Sequence, residues 1–286
     1  MRIYDRKAGQ YTEEDQFQQG MLRFLYGNPL GRFLLWAVVA RPWVSKIGAW
    51  SMNRKSSVRK IAPFVEQYHI DLSVCEKQEF DSFNDFFTRK RKNTTAAAED
   101  ELIACADSRL SVYPIEADTK LKIKQSTYTI ADILEDADLA KKYGGGLCLV
   151  FRLAVEDYHR YSFCDSGRLG ASRFIPGMLH TVRSISDSYN VYTRNAREWT
   201  VLHTDHFGDV IQIEVGALMV GKIRNHRAAE RFCRLEEKGY FEYGGSTVVL
   251  LFEKDKVQLD EDILRINDSG VEVRVRLGEK IGSRIR

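Results

Sequence analysis

Two hydrophobic periods divide this chain. Up to about residue 92, apolar positions recur three and four apart, as in SSVRKIAPFVEQYHI (56–70), which is the spacing of one helix face. An aromatic cluster and a basic run, SFNDFFTRKRK (82–92), close this part. The small polar stretch NTTAAAEDE (93–101) reads as a connector. Beyond it the period drops to two. Strands are predicted at Leu102–Cys105, Leu147–Leu153, Val210–Val215, Thr247–Phe252 and Val271–Leu277, the last alternating strictly as VEVRVRL. One helix is predicted over Thr129–Tyr143, ended by the glycines 144–146. The expected class is α+β: a helical region over 1–92, then a mainly antiparallel β barrel or sandwich-like core over 93–286.

Composition narrows the picture modestly. The 286 residues, 44% hydrophobic and 29% charged, describe an ordinary globular chain. Cysteines 75, 105, 148, 164 and 233 are odd in number and show no C-x-x-C, so reduced thiols are expected rather than a disulfide framework or a zinc site. Residues 1–20 are polar and predict no signal peptide. The run Phe33–Ala40 falls far short of the ~20 residues a membrane span requires.

Charge placement says more than net charge. Residues 16–60 hold Arg23, Arg32, Arg41, Lys46, Arg54, Lys55, Arg59 and Lys60, and no acidic side chain. Trp36, Trp43 and Trp50 recur every seven residues, close to two helical turns. Pro42 is expected to break or kink this segment. The pattern fits an interfacial membrane helix, or else a helical hairpin that faces the core and wears a basic rim. Nucleic acid fits less well, because the patch is rich in Leu and Trp rather than dense in Lys.

No P-loop, G-x-G-x-x-G or H-E-x-x-H is present. His203 and His206 read as an exposed hairpin tip, His69 and His226 as polar helical positions, and His180 stays undecided. His159, in FRLAVEDYHRYSF, follows an apolar strand and can take a proton near neutral pH. Asp107, in ACADSRLSVYP, follows another. The stretch YGGSTVVLLFEKD (243–255) places Ser246 at the mouth of a dense apolar run. Gly-Gly-Ser there is either a turn or, at Gly245–Ser246, a reactive peptide bond. Asp107, His159 and Ser246 form a Ser/His/Asp set on three strand ends, and the pattern alone leaves open whether they meet.

Several longer stretches carry a resemblance: FLYGNPLGR (24–32), RPWVSKIGAW (41–50), SFNDFFTRK (82–90), FRLAVEDYHRY (151–161), IPGMLHTV (175–182), NAREW (195–199), VGALMVGKI (215–223) and KGYFEYGGSTVVLLF (238–252). Together they resemble the phosphatidylserine decarboxylase family, in its Gly-Gly-Ser-Thr (type II) branch. The resemblance implies a self-processing enzyme needing no metal. Ser246 would attack the Gly245 carbonyl, the chain would split there, and residue 246 would become a pyruvoyl group, the covalent cofactor. His159 would be the base for Ser246, with Asp107 orienting it. The pyruvoyl carbonyl would form a Schiff base with the amine of phosphatidylserine and accept electrons as carbon dioxide leaves, with His159 returning a proton.

The same resemblance implies further partners. The α and β chains made by cleavage would stay together as a heterodimer, with a higher homo-oligomer left open. The substrate requires an anionic bilayer, so the protein would lie peripherally on the cytoplasmic face of the cell membrane. The sequence departs from the family where relatives read Val-Asn-Pro (here Val182-Arg183-Ser184) and Asp-Gly (here Asp107-Ser108), and above all where many members read His-x-x-His and this chain reads His159-Arg160-Tyr161-Ser162. Ser162 cannot act as a base, which leaves His159 to serve both steps. Three other readings remain open from the residues themselves: a pyruvoyl decarboxylase of a soluble amino acid, a Ser/His/Asp hydrolase, and a non-catalytic carrier-like β module.

Overall fold

STVVLLF, the strand Ser246–Phe252, is buried at every position, and a run apolar on both sides calls for cover on both faces. The computed structural model supplies it; it describes residues 2–13, 19–39, 42–92, 98, 100–123, 126–180, 190–217, 222–226, 230–243 and 246–285. Gly244 and Gly245 lie outside the described residues, as do Arg41, most of the 93–101 connector, and the side chains of Trp43 and Lys46.

Ser246–Phe252 sits inside a ten-stranded sheet. From edge to edge the strands are Arg231–Phe232, Gly167–Ile175, Arg197–Thr204, Gly208–Gly216, Ser246–Phe252, Leu147–Leu153, Ser108–Pro114, Glu272–Val275, Arg2–Asp5 and Gln10–Glu13. Neighbours are antiparallel except Arg2–Asp5 beside Glu272–Val275. The order is open, so the core is sandwich-like and not a closed barrel.

One face carries Leu110, Phe151, Val248 and Leu250. It packs on Phe241 and Tyr161 from the small sheet Ile223–Asn225, Glu237–Phe241, Arg160–Ser162, and on Ile281 and Leu259 from a second small sheet. The other face carries Val150, Val249, Leu251 and Ile213, covered by Ile130, Ile133 and Leu134. These assignments follow the pleat, since alternate residues of a strand serve opposite layers.

The helical region has its own local logic. Helix α1 spans Gln19–Gly27 and α2 spans Pro29–Leu34. The Asn28 side chain accepts from the Leu30 and Gly31 amides and Pro29 holds the first helical position, which explains the start of α2. Gly31 lets the helices touch: a Cβ there would collide with the Phe24 carbonyl. After a π-helical turn at Leu35–Val39, helix α3 (Pro42–Met52) begins at the proline expected to interrupt the segment. Helix α4 is Ile61–Tyr68 and α5 is Phe83–Phe87, capped by the Ser82 hydroxyl, which accepts from the Asp85 amide. Among the described residues, no helix is long and apolar enough to cross a membrane.

Four expectations need correction. Residues 2–13, grouped with the helical region, form the last two strands at one end of the main sheet; four-residue strands are too short to register a period of two. The helix expected over Thr129–Tyr143 is broken, because Glu135 turns left-handed at φ 51° between Ile130–Leu134 and Ala137–Ala140. His226 follows a strand rather than lying in a helix. His206 is half-buried and bonded to the buried Asp165 at 2.9 Å, while only His203 stands out in solvent. All five cysteines are free.

Candidate active site

Ser246 opens its strand facing Gly216 on one side and Leu153 on the other. Its hydroxyl oxygen is fully buried and has no hydrogen-bond partner among the described residues. An unmade bond of this kind is costly, and the neighbouring Thr247 hydroxyl is also buried without a partner among the described residues.

His159 lies in the turn that follows Leu147–Leu153, and no hydrogen bond joins it to Ser246 among the described residues. Asp157 shapes that turn: its carboxylate accepts the Ala154 amide at 2.8 Å and pairs with the buried Arg109, which also takes Glu156. Burial pushes the Asp157 carboxyl up, and Arg109 pulls against that shift. The fully buried His159 ring places Nδ1 2.9 Å from the Asp157 carbonyl. A carbonyl can only accept, so Nδ1 carries the proton and Nε2 is the basic nitrogen.

Helix α5 brings the histidine and the approach to Gly245 together. The Phe87 ring lies 4.0 Å from the His159 ring and 5.3 Å from the Tyr243 ring. Asn84, on the same helix, accepts the Tyr243 amide at 2.9 Å, and Phe83 meets Tyr243 at 5.4 Å. The Phe241 amide bonds the His159 carbonyl at 2.9 Å. Asn84, Phe87 and Tyr243 were not singled out in the sequence. The available signal was the repeated aromatic spacing of FNDFF, which here forms a bracket over the site.

Asp107 is placed differently from a triad acid. One of its oxygens accepts Arg91 at 2.6 Å and the other accepts the Leu277 amide at 2.8 Å. No hydrogen bond joins it to His159 among the described residues. Its route to the histidine is indirect: the Arg91 guanidinium stacks on the Tyr158 ring, 4.4 Å from its centroid. Ser162, at the position of the family's second histidine, is buried, and its amide bonds the Cys105 carbonyl at 2.9 Å.

Below the site, on the same sheet face as Ser246, lies a buried polar network. Lys238 contacts both Glu214 oxygens at 2.8 Å, Asn225 donates to Glu214 at 3.0 Å, and Tyr161 donates to Asn225 at 3.0 Å. It ties the strand after His159 to the strand leading toward Gly245. The undecided His180 is also buried. It is anchored by Asn195, which accepts its amide at 3.0 Å, and lies against Tyr26 of α1. Burial, with Arg194 nearby, lowers its pKa to about 4.

A family model described as phosphatidylserine decarboxylase matches residues 83–283. The chain is 48% identical to "Phosphatidylserine decarboxylase proenzyme 2" of Clostridium acetobutylicum over 284 residues, covering 98% of this chain and 97% of the relative. It is 40% identical to a phosphatidylserine decarboxylase proenzyme of Desulfitobacterium hafniense (99% and 98% covered), and 38% identical to one of Ruminiclostridium cellulolyticum (99% and 97%). With the matched region running from the bracket helix through the Ser246 strand, the chain belongs to the phosphatidylserine decarboxylase family.

Proposed function

We propose that this chain is a self-processing phosphatidylserine decarboxylase that cuts itself at Gly245–Ser246 and works through a pyruvoyl group formed from Ser246. The observation that carries the reading is the bare, buried Ser246 hydroxyl at the end of a strand, beside a bracket that grips His159 and Tyr243 together. The word proenzyme in the relatives' names supports self-processing. A small group at residue 246 fits a position that is fully buried at the start of its strand. Once formed, the pyruvoyl carbonyl supplies an electron sink for loss of carbon dioxide from an amine-bearing substrate.

The chain's own residues do the rest. His159 Nε2 takes the Ser246 proton during processing, and the Nδ1 bond to the Asp157 carbonyl fixes the tautomer. After processing the same nitrogen holds a proton for delivery to the substrate's Cα. Asp107 acts as a positioning residue, holding Arg91 against Tyr158 beside the histidine and tying the Leu277 amide. The α and β chains remain paired as strands of one sheet.

The bilayer is met by the N-terminal helices. Met21, Phe24, Leu30, Phe33, Trp36, Ile47 and Trp50 are exposed there, the two tryptophans by 59% and 62%. Arg23, Arg32 and Arg54 accompany them without an acidic neighbour between residues 16 and 60. Apolar side chains in solvent beside excess positive charge are the composition of a peripheral contact with anionic lipid, here the cytoplasmic face of the membrane.

Intact-mass measurement of the purified protein tests the reading. Fragments 1–245 and 246–286 are expected, the smaller one resistant to Edman degradation and reactive toward carbonyl reagents. A chain that stays whole yet decarboxylates phosphatidylserine overturns it.

A further inference from the structure

The Ser246 strand begins at a rung where the neighbouring ladder runs out. Gly216 faces Ser246 on one side, and on the other side its strand pairs with Arg197–Thr204 as far as Arg197 opposite Val215. One step further the Gly216 amide still donates to the Ala196 carbonyl at 2.9 Å, but the Ala196 amide turns away to the Met178 carbonyl at 3.0 Å. An antiparallel pair normally exchanges both bonds, so the Gly216 carbonyl loses its ladder partner here. The Asn195 side chain replaces it: Nδ2 donates to the Gly216 carbonyl at 2.8 Å.

The same amide holds a second segment. Nδ2 also donates to the His180 carbonyl at 2.8 Å, and Oδ1 accepts the His180 amide at 3.0 Å. Asn195 is fully buried, and these bonds use both of its side-chain N–H groups. Met178 runs parallel beside it, with its amide bonded to the Arg194 carbonyl at 2.9 Å. Between Met178 and His180, Leu179 is pressed onto Gly216: a Cβ at Gly216 would lie 3.1 Å from Leu179 Cδ2. Residues opposite each other on antiparallel strands project from one face, their Cβ atoms about 4.5–5.5 Å apart. The buried Leu179 therefore stands where a side chain at 216 would, next to the Ser246 side chain.

We propose that Asn195 is a positioning residue for the chemistry at residue 246, holding Gly216 and Leu179 against it; the proposal rests on the self-cleavage read above. Asn195 makes no hydrogen bond to the Ser246 hydroxyl and acts through these two residues. Without its amide, the Gly216 carbonyl and the 178–180 segment are both released at the rung that faces the reacting bond. A displacement of ~1 Å at reacting atoms costs about a hundredfold in rate. The loss falls on the chemical steps, self-cleavage and turnover, rather than on substrate binding.

The test compares full-length wild type, Asn195→Ala, Asn195→Asp and Trp199→Phe, each made by cell-free translation so that cleavage is followed on gels from synthesis onward. Asn195→Asp keeps an acceptor for the His180 amide and loses the two amide donors. Trp199→Phe is the control: on the same strand, the buried Trp199 Nε1 donates to the Leu134 carbonyl at 3.0 Å, away from residue 246. Adding Ser246→Ala to each variant gives uncut chains whose melting temperatures place all of them on one stability scale. Both Asn195 variants are expected to cleave at least tenfold more slowly than Trp199→Phe at comparable stability. The matured fraction of either should show kcat on phosphatidylserine lowered at least tenfold with KM held within about twofold, the signature of an interaction that matters in the transition state. Slowing no greater than the control's at equal stability overturns the proposal, and so does an unchanged kcat. If neither Asn195 variant folds by circular dichroism, the residue serves the fold alone and the proposal is overturned. A wild type that never cleaves overturns the reading above and this one with it, whereas a cleaving wild type with unaffected variants overturns this one only.

Discussion

Ser246→Ala should make the uncut fold more stable while abolishing its chemistry. The native hydroxyl is buried without a hydrogen bond among the described residues, and such a group costs about 1–3 kcal/mol in lost hydration. Alanine removes the oxygen, keeps the Cβ, and leaves the backbone pairing with Gly216 and Leu153 intact. At about 2 °C per kcal/mol for a chain of this size, the melting temperature should rise by roughly 2–6 °C. The comparison requires two uncut proteins, because wild type is expected to be cleaved. His159→Gln supplies the background, and His159→Gln/Ser246→Ala is measured against it by calorimetry, with intact mass confirming single chains. A fall of 2 °C or more in the double variant would refute the reasoning, since it would mean that the hydroxyl makes a stabilising bond. A rise would show stability given up for reactivity, as expected at a strained or underbonded catalytic position.

Phe87→Leu removes two ring contacts worth about 0.5–1.5 kcal/mol each beyond burial, so self-cleavage followed on gels should slow about tenfold or more; an unchanged half-time would mean that the bracket does not position the site. Trp36→Ala/Trp50→Ala should reduce co-sedimentation with phosphatidylserine vesicles, and wild-type binding should weaken as salt rises. His180 is held neutral down to about pH 4 against an ordinary 6.5, so the unfolded chain takes up its proton first; stability is full above pH 6.5 and declines as pH falls toward 4, and His180→Leu should flatten that part of the acid-unfolding profile. Lys238→Met strands Glu214 in the core and should cost about 3–5 kcal/mol in denaturant unfolding, whereas Glu214→Leu/Lys238→Met should recover most of it.

What could be read from the sequence follows from the range of the interactions. The strand Ser246–Phe252 was legible over Thr247–Phe252 because an unbroken apolar run needs no partner to be recognised. The break at Pro42 was legible for the same local reason, whereas the pattern of Trp36 and Trp50 fitted both a core-facing and an exposed face. The role of Phe87 was not, because it joins residues 72 and 156 positions away in the chain. Arg91 holding Asp107 was equally hidden, as it depends on how the basic run after α5 crosses the Ser108 strand. Residues 2–13 escaped because a short edge strand is defined by its neighbour, here Glu272–Val275 near the far terminus. The left-handed Glu135 breaks a helix that the apolar spacing alone would continue.

The position of Ser246–Phe252 inside the sheet bears on the enzyme's lifespan. The proposed cut before Ser246 would leave Ser246–Phe252 hydrogen-bonded between Gly208–Gly216 and Leu147–Leu153, and Glu272–Val275 a second time between Ser108–Pro114 and Arg2–Asp5. The smaller product is therefore woven through the larger at two places and cannot leave unless the whole sheet opens. Refolding, in contrast, changes from a first-order to a second-order process, because the ends that once guided the middle strand into place are no longer joined. The uncut chain can unfold and recover at any dilution. The mature enzyme should recover only when concentrated, so its working life is set by the barrier to its first unfolding.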